Sequence, residues 1–318
     1  MLSRHFLRVK VLQQLYACVT AEMEDVVRAE QGLLDSIEQT YSLEVYLLSA
    51  VLEIRDIAEN QIEEAKNKFF PTEEEKNPNM RFVNNALIHQ LQLNAELSKA
   101  VAKLKINWAE QRDMLKNILN RFKGSDTYKE YMSKPESSYE DEKMVVVRMM
   151  KNYLFKNEPF TEFLFEKQLG WEGDLQYVGM SFLNYLKDFS QEDGSAKPLF
   201  QMFDNDKDGR KEFAVDLLSK SLVHFSDYDD MFRKHVENWD MERLAFLDRL
   251  IIKMGITELI YCPSIPVRVT MNEYIELAKE FSTERSKLFV NGLLDKFLVD
   301  LRAAGKICKD EFEEEKTE

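Results

Sequence analysis

The chain has 318 residues, with 57 acidic and 43 basic side chains, a formal net charge of −14, ten glycines and seven prolines. So few glycines and prolines exclude a collagen-like chain and argue against an all-β sandwich or a Gly-rich phosphate-binding enzyme. With 44% hydrophobic and 31% charged residues, the composition also excludes wholesale disorder. It predicts a mainly helical protein that buries a substantial core.

The first predicted element is a basic helix in an otherwise acidic chain. Arg4, Arg8 and Lys10 all precede Glu22, the first acidic residue, and Ser3 can cap the helix start. Because Arg4 and Arg8 are four residues apart, we expect both on one exposed stripe. A local cationic surface of this kind is what docking to phosphates requires.

The same stretch does not have the pattern of a secretory signal. Gln13 and Gln14 interrupt the apolar run before Cys18, which leaves it too short and polar. No stretch approaches the ~20 apolar residues that span a bilayer. The three cysteines, Cys18, Cys262 and Cys308, share no disulfide or zinc spacing, which favours a reducing cytoplasm.

Helical periodicity predicts most of the remaining chain. The predicted helices lie near 24–40, 43–69, 80–122, 143–156, 159–169, 175–189, 211–225, 228–239, 241–261, 271–281 and 284–301. Breaking residues predict a solvated loop at 71–78, a mixed linker at 125–142, a polar loop at 190–210 and an extended connector at 264–269.

Motifs for metal binding and catalysis are absent or incomplete. The run from Asp204 to Gly209 matches the first half of a calcium-binding EF-hand loop, but Val215 stands where the bidentate Glu is needed. The four histidines, His5, His89, His224 and His235, form no zinc-binding spacing. We therefore predict no metal, no cofactor and no enzymatic activity.

The last predicted helices carry three local features. Thr270 with Glu273 has the spacing of a capping box, which predicts a helix start there. Gly292 lies inside a helix, where it costs ~1 kcal/mol relative to Ala, so it predicts close approach of another backbone. Arg285 and Lys287 occupy a first helical turn, where the helix dipole disfavours cations. Either an external anion lies nearby or the helix start is simply solvated.

Two separate segments resemble one known family. Residues 272–279 (NEYIELAK) and 289–296 (FVNGLLDK) resemble the C-terminal signature of the NusB family of transcription antitermination factors. Residues 4–16 (RHFLRVKVLQQLY) resemble that family's arginine-rich first helix, which ends in a Gln-x-Leu-Tyr pattern. The resemblance is strong at 242–298, moderate at 3–16, and weak or absent through most of 71–205.

The resemblance implies an all-α fold of two three-helix subdomains packed together. It also implies binding of boxA RNA as a heterodimer with the ribosomal protein NusE. That pair joins the elongating RNA polymerase complex and suppresses termination, without membrane association. An isolated basic helix in an acidic protein agrees with this role, since local cations supply affinity while global repulsion limits indiscriminate binding.

The same resemblance assigns functional residues. The implied RNA contacts are Arg4, His5, Arg8, Lys10, Tyr16, Arg285, Lys287 and Phe289. Tyr16 and Phe289 would stack on bases, as aromatic rings do with single-stranded RNA, or each could be a core residue. Glu242 and Asp248 match acidic positions that face NusE. The first helix has fewer arginines than in typical members of the family, because His5 and Phe6 stand at positions where arginine is common.

The extra length predicts four segments: N-terminal helices at 1–70, an extra helical region at 71–205, a NusB-like helical domain at 206–303 and an acidic tail at 304–318. Either the family fold resumes after an insertion, or its first half is duplicated. The rival functional hypothesis is a helical scaffold that retains a NusB-like core and binds only proteins.

Overall fold

The computed structural model describes residues 3–199, 209–235, 245–283, 285–307 and 309. Within these ranges the α-helices are α1 (Arg4–Thr20), α2 (Val26–Lys66), α3 (Glu73–Lys76), α4 (Ala86–Gln92), α5 (Ala95–Lys103), α6 (Arg112–Lys123), α7 (Asp126–Ser133), α8 (Tyr139–Met149), α9 (Glu158–Lys167), α10 (Trp171–Lys187), α11 (Arg210–Val223), α12 (Asp227–His235), α13 (Phe246–Tyr261), α14 (Val267–Phe281) and α15 (Ser286–Ala303). These ranges contain no strand, so the all-α prediction is confirmed. None of these helices combines the length and apolar character needed to cross a bilayer.

Several predicted helix boundaries are wrong. The two helices expected at 24–40 and 43–69 are one continuous helix of 41 residues, α2. The single helix expected at 80–122 is instead α4, α5 and α6. Its first break comes at Asn94, whose side chain accepts a hydrogen bond from the Leu97 N–H at 2.9 Å and so caps α5. Its second break is Lys105, which has a φ of 52°. A left-handed residue cannot continue a right-handed helix.

The linker predicted at 125–142 is also mostly helical. It contains α7 and the start of α8, each capped by a serine, Ser125 or Ser138, whose hydroxyl accepts a backbone N–H. Other predictions fall on residues that the structure does not describe. These are residues 204–208 of the calcium-like sequence, the acidic Glu242, and Cys308.

The chain divides into two compact units. Unit 1 comprises residues 38–202, and unit 2 combines residues 2–37 with residues 203–318. The long helix α2 starts in unit 2 and continues in unit 1. Unit 2 is therefore assembled from both ends of the chain.

Aromatic rings fill part of the core of unit 1. The indole N–H of Trp108 donates to the Ser49 hydroxyl at 3.1 Å, and that of Trp171 donates to the Gln39 carbonyl at 3.0 Å. Both rings lie edge-on to Tyr46, with centroids 6.0 and 5.3 Å away. Buried indoles need a partner for the N–H, so these bonds fix where α10 and the 3₁₀ turn Ala109–Gln111 meet α2.

Unit 1 also buries one acidic side chain whose carboxylate has no hydrogen bond among the described residues. Glu44 on α2 is 3% exposed. Neither of its carboxylate oxygens has a hydrogen-bond partner among the described residues. Burial raises the pKa of Glu44 well above its ordinary value, since the charged form loses its hydration.

Unit 2 is organised around α13. Ten consecutive residues of this helix, 250–259, are buried, so neighbours surround it on every side. It packs against α1, α11, α14 and α15, and the three helices α13, α14 and α15 all contact one another. A helix that is buried all round forms the centre of a bundle.

The glycine prediction for unit 2 is wrong in its position. A Cβ at Gly292 would have nothing within 4 Å. The close approach occurs instead at Gly255 on α13, where a Cβ would lie 2.9 Å from Leu294 Cδ2 and 3.4 Å from the Tyr274 ring. Gly255 therefore lets α14 and α15 pack tightly on the central helix.

The buried carboxyl of Glu44 leads to a stability prediction. We expect Glu44→Gln to raise the free energy of unfolding at neutral pH. In the wild-type protein, ionisation of the Glu44 carboxyl at this pH favours the unfolded chain, and glutamine removes that effect. The gain should vanish below the ordinary Glu pKa of about 4.3, where the carboxyl is neutral in both states. Urea unfolding at both pH values measures it. The matched control is Glu38→Gln, an exposed site on the same helix. An equal gain in both variants would contradict the assignment.

Candidate nucleic-acid interface

The predicted basic helix lies inside unit 2 rather than on its surface. The Ser3 hydroxyl caps α1 by accepting the Phe6 N–H at 3.1 Å. From there, the seven consecutive residues from Phe6 to Leu12 are buried. The expected exposed stripe is therefore wrong for Arg8, which is 1% exposed. Lys10 is also buried, at 3% exposure.

Arg8 forms a buried, two-pronged ion pair with Glu258 of α13. Its Nε and one terminal nitrogen each donate to a different carboxylate oxygen of Glu258, both at 2.8 Å. Glu258 also accepts from Thr270 Oγ1 at 2.9 Å and from the Tyr274 hydroxyl at 3.0 Å. Burial opposes the charge of Arg8, but the hydrogen bonds and charge of Glu258 outweigh it and raise the Arg8 pKa.

The capping box predicted at Thr270 is also wrong. α14 already begins at Val267, directly after Pro266, so Thr270 lies about one turn inside the helix. The connector predicted as extended over 264–269 is correspondingly shorter. The Thr270 hydroxyl donates to Glu258, as described above, and accepts from the Lys309 ammonium at 2.8 Å. Burial lowers the pKa of Lys309 to about 8.

His5 is held between two carboxylates of α14. Its Nδ1 lies 2.9 Å from Glu273 and its Nε2 lies 3.3 Å from Glu280. Glu273 also lies 3.2 Å from Arg8. The hydrogen bond to Glu273 is the largest influence on the His5 pKa, which it raises against the effect of burial. The positive charge of His5 is thus balanced within the protein.

Arg4 and Lys10 each contact an aromatic ring. The Arg4 guanidinium carbon lies 5.9 Å from the centroid of Phe213 on α11, and the Lys10 ammonium lies 5.5 Å from that of Phe6. Both contacts are of cation–π type. Arg4 remains partly exposed. Of the basic residues that we predicted on α1, it has the most favourable position for an external ligand.

A different group of residues meets at the first turn of α13. Tyr16, near the end of α1, is 44% exposed, and its ring packs edge-on against Phe246 at 5.4 Å. The Arg249 guanidinium lies 5.5 Å from the same Phe246 ring. Phe246 and Arg249 are both partly exposed. No sequence motif pointed to Phe246 or Arg249, although both lie in the same helical turn as the predicted residue Asp248.

The first turn of α15 joins this group through Asp248. The Ser286 hydroxyl donates to Asp248 Oδ2 at 2.8 Å, and Asp248 is 5% exposed. A carboxylate at a helix N-terminus is favourable because the free N–H groups carry partial positive charge. The bond places Arg285, which is exposed, and Lys287, which is partly exposed, beside the start of α13.

We call this group the aromatic–basic ledge and define it as Tyr16, Phe246, Arg249, Arg285 and Lys287. It joins the end of α1 to the start of α15 across α13. The predicted stacking residue Phe289 follows on the same helix and is partly buried. The ledge thus combines two rings and three cations near the first turns of α13 and α15. Within the described ranges, no three His, Cys, Asp or Glu residues are placed to hold a metal ion.

Comparisons with known proteins match the C-terminal part of the chain. The NusB family model matches residues 178–299. The protein named transcription antitermination protein NusB from Salinibacter ruber is 38% identical over 99 residues, which are 31% of this chain and 62% of that protein. Its namesake from Chloroherpeton thalassium is 33% identical over 99 residues, 31% of this chain and 47% of the relative.

A third protein of the same name, from a Nitratiruptor species, is 41% identical over 86 residues, 27% of this chain and 61% of the relative. The chain therefore spans less than two thirds of the length of each of these relatives. No solved structure matches the chain significantly. The predicted resemblance is confirmed as a NusB-family domain within residues 178–299 of a longer chain.

The buried ion pair predicts a large stability effect. We expect Arg8→Ala to lower the free energy of unfolding by about 3–5 kcal/mol, because it strands the Glu258 carboxylate in the core. We expect Arg4→Ala to cost at most about 1 kcal/mol, since it removes a partly exposed cation–π contact. The double variant Arg8→Met with Glu258→Leu should recover most of the loss. Denaturant unfolding distinguishes these outcomes, and equal losses for the two alanine variants would refute the burial argument.

His5 and Glu273 predict how this stability depends on pH. The raised His5 pKa stabilises the fold below about pH 6.5, and this contribution disappears as pH rises through the folded value. The Glu273 pKa is lowered, mainly by its bond to His5, so its contribution is lost as pH falls below about 4.5.

His5→Gln should therefore destabilise the protein more at about pH 5.5 than at about pH 8.5. Unfolding free energies at the two pH values test this expectation. His89→Gln, at an exposed histidine of α4, is the matched control. A loss for His5→Gln that is independent of pH would mean that the ion pairs contribute nothing.

Proposed function

Because the chain contains a NusB-family domain, we propose that it is a transcription antitermination factor. In this proposal it binds boxA-type RNA together with the ribosomal protein NusE and joins the RNA polymerase elongation complex, in support of ribosomal RNA transcription in the cytoplasm. The role requires binding and positioning but no chemistry by the protein itself. The family match over 178–299 is the observation that carries it.

The aromatic–basic ledge is the proposed RNA surface. Unpaired bases stack on exposed aromatic rings and on arginine planes, and lysines and arginines contact the phosphates. Tyr16 offers the most exposed ring of the ledge, Arg249 contacts the neighbouring Phe246, and Arg285 and Lys287 supply charge at the start of α15. Such a local group of cations allows RNA to dock on a protein whose net charge of −14 repels nucleic acid elsewhere.

We divide the residues implied by the family resemblance into two roles. Direct RNA contacts are proposed for the partly or largely exposed residues Arg4, Tyr16, Arg285, Lys287 and Phe289. A positioning role is proposed for the residues held by internal partners or by burial: His5, Arg8 and Lys10. Their charges and side chains fix α1, so that Tyr16 reaches the ledge.

The acidic residues assigned to NusE receive a similar revision. Asp248 is buried and bonded to Ser286, so we propose that it supports partner binding indirectly by fixing the start of α15. Glu242 lies outside the described residues and stays a predicted NusE contact. We further propose that residues 38–202 are an insertion, because unit 2 is assembled from the segments on either side of them.

A second candidate function is a helical scaffold that binds proteins and not RNA. Two observations favour it. The basic residues of α1 are largely buried or balanced by Glu258, Glu273 and Glu280. In unit 1, Phe69 and Phe70 are 91% and 84% exposed and pack edge-on at 4.8 Å, as an aromatic anchor for a protein partner would.

Gel-shift titrations with boxA RNA, in the presence and absence of NusE, test the proposed function. We expect Arg285→Ala with Lys287→Ala to weaken RNA binding and to reduce the slope of log affinity against log salt by about 1.4, since each lost phosphate contact on a single strand is worth about 0.7. We expect Tyr16→Ala to weaken binding by about 1–3 kcal/mol with the salt slope unchanged, because it removes stacking alone.

The matched control is Lys103→Ala with Lys116→Ala, which removes two exposed lysines from unit 1. It should leave both affinity and slope unchanged. Loss of affinity in this control would move the RNA surface to unit 1. If the wild-type protein bound NusE but did not bind boxA RNA, either alone or with NusE, the scaffold function would replace the proposal.

A further inference from the structure

α15 presents a face that the described residues leave uncovered. Leu288 is 73% exposed and Val299 is 65% exposed. Between them lies Gly292, which is also exposed and has open space where a Cβ would project. Asp295 and Lys296 complete the middle of this face. They are exposed, and neither side chain makes an ion pair or hydrogen bond with another described residue.

These residues form one continuous stripe. An α-helix turns by about 100° per residue, so the positions 288, 292, 295, 296, 299 and 303 fall within a stripe about 100° wide. We call it the α15 stripe. It is apolar at both ends, through Leu288 at one and Val299 with Ala303 at the other. Its centre carries one acidic and one basic side chain.

The position of Gly292 requires an explanation that the single chain does not supply. Glycine weakens a helix interior, and here it neither ends a helix nor relieves a close contact. A glycine on an exposed helical face creates a shallow hole into which a side chain of another helix can fit. No helix of the described residues fills the hole at Gly292.

We propose that the α15 stripe pairs with the same stripe of a second copy of this chain, with the two helices antiparallel. A two-fold axis between residues 295 and 296 makes the stripe complementary to itself. Asp295 then faces Lys296 of the second copy, and by symmetry the same ion pair forms twice. Val299 fits the hole at Gly292 of the second copy, and Leu288 packs on its Ala303.

The charges select a second copy over other occupants. One acidic and one basic residue lie side by side at the centre, so a uniformly acidic or basic partner would repel one of them. An antiparallel copy pairs both, and such a contact is isologous, using the same surface on each subunit. One helix pair buries less area than a standard stable interface, so the dimer should be weak and concentration-dependent.

Sedimentation velocity over a range of concentrations tests the pairing. The wild-type protein should shift from 37.5 kDa towards twice that mass as its concentration rises from micromolar to hundreds of micromolar. Gly292→Leu should remain folded, because open space surrounds the site, and should stay monomeric because the hole for Val299 is filled. The matched control is Asn272→Leu, an exposed site on α14, which should dimerise as the wild type does.

A charge swap tests the register. Asp295→Lys alone should weaken dimerisation at least about tenfold, because it places like charges opposite each other. Combining it with Lys296→Asp restores both cross-subunit pairs and should restore dimerisation. A purely structural role for either residue would give no such rescue.

Three outcomes would overturn the proposal. The wild-type protein could remain monomeric at every concentration. It could dimerise while Gly292→Leu dimerises equally well, which would place the interface elsewhere. It could remain monomeric and bind NusE in a manner that Gly292→Leu abolishes, which would assign the stripe to that partner. None of these results depends on whether the aromatic–basic ledge binds RNA.

Discussion

The buried ion pair between Arg8 and Glu258 is the constraint on which unit 2 depends. It joins α1 to α13, and the hydroxyls of Thr270 and Tyr274 extend it to α14. A carboxylate that accepts several hydrogen bonds in a dry site is stable only while every partner stays in place. The relative positions of the three helices are therefore coupled, and Lys309 ties the end of the described chain to the same network.

The basic residues of α1 and those at the starts of α13 and α15 have different surroundings, and we assign them different roles. On α1, His5 and Arg8 are paired with carboxylates, and Lys10 is buried against the ring of Phe6. Arg249 at the start of α13 contacts Phe246, which packs against Tyr16, and Arg285 and Lys287 lie at the start of α15 with at least partial exposure. A rigid α1 is what brings the ring of Tyr16 to that place, so the internal charges contribute to the proposed RNA surface by positioning it.

The family match includes residues of both compact units. The family match at 178–299 begins within α10 of unit 1 and ends within α15 of unit 2. The segment 2–37 completes unit 2 from the opposite end of the sequence. Unit 1 has its own aromatic core, and the indole hydrogen bonds of Trp108 and Trp171 lie within it. Unit 1 also exposes the aromatic pair Phe69 and Phe70, on which the second candidate function is based.

The sequence by itself determined the helical class, most helix positions and the family resemblance, because these depend on local composition, periodicity and short motifs. It also predicted Tyr16 and the first turn of α15 as RNA-binding positions, and both have at least partly exposed residues in the structure. It placed Arg8 on the surface, since spacing along a helix does not reveal that Glu258, 250 residues away, supplies a buried partner. Only the tertiary structure decided which charges are internal, that Phe246 and Arg249 join Tyr16, and that Gly292 faces open space. Each of these depends on contacts between distant segments, which local patterns do not encode.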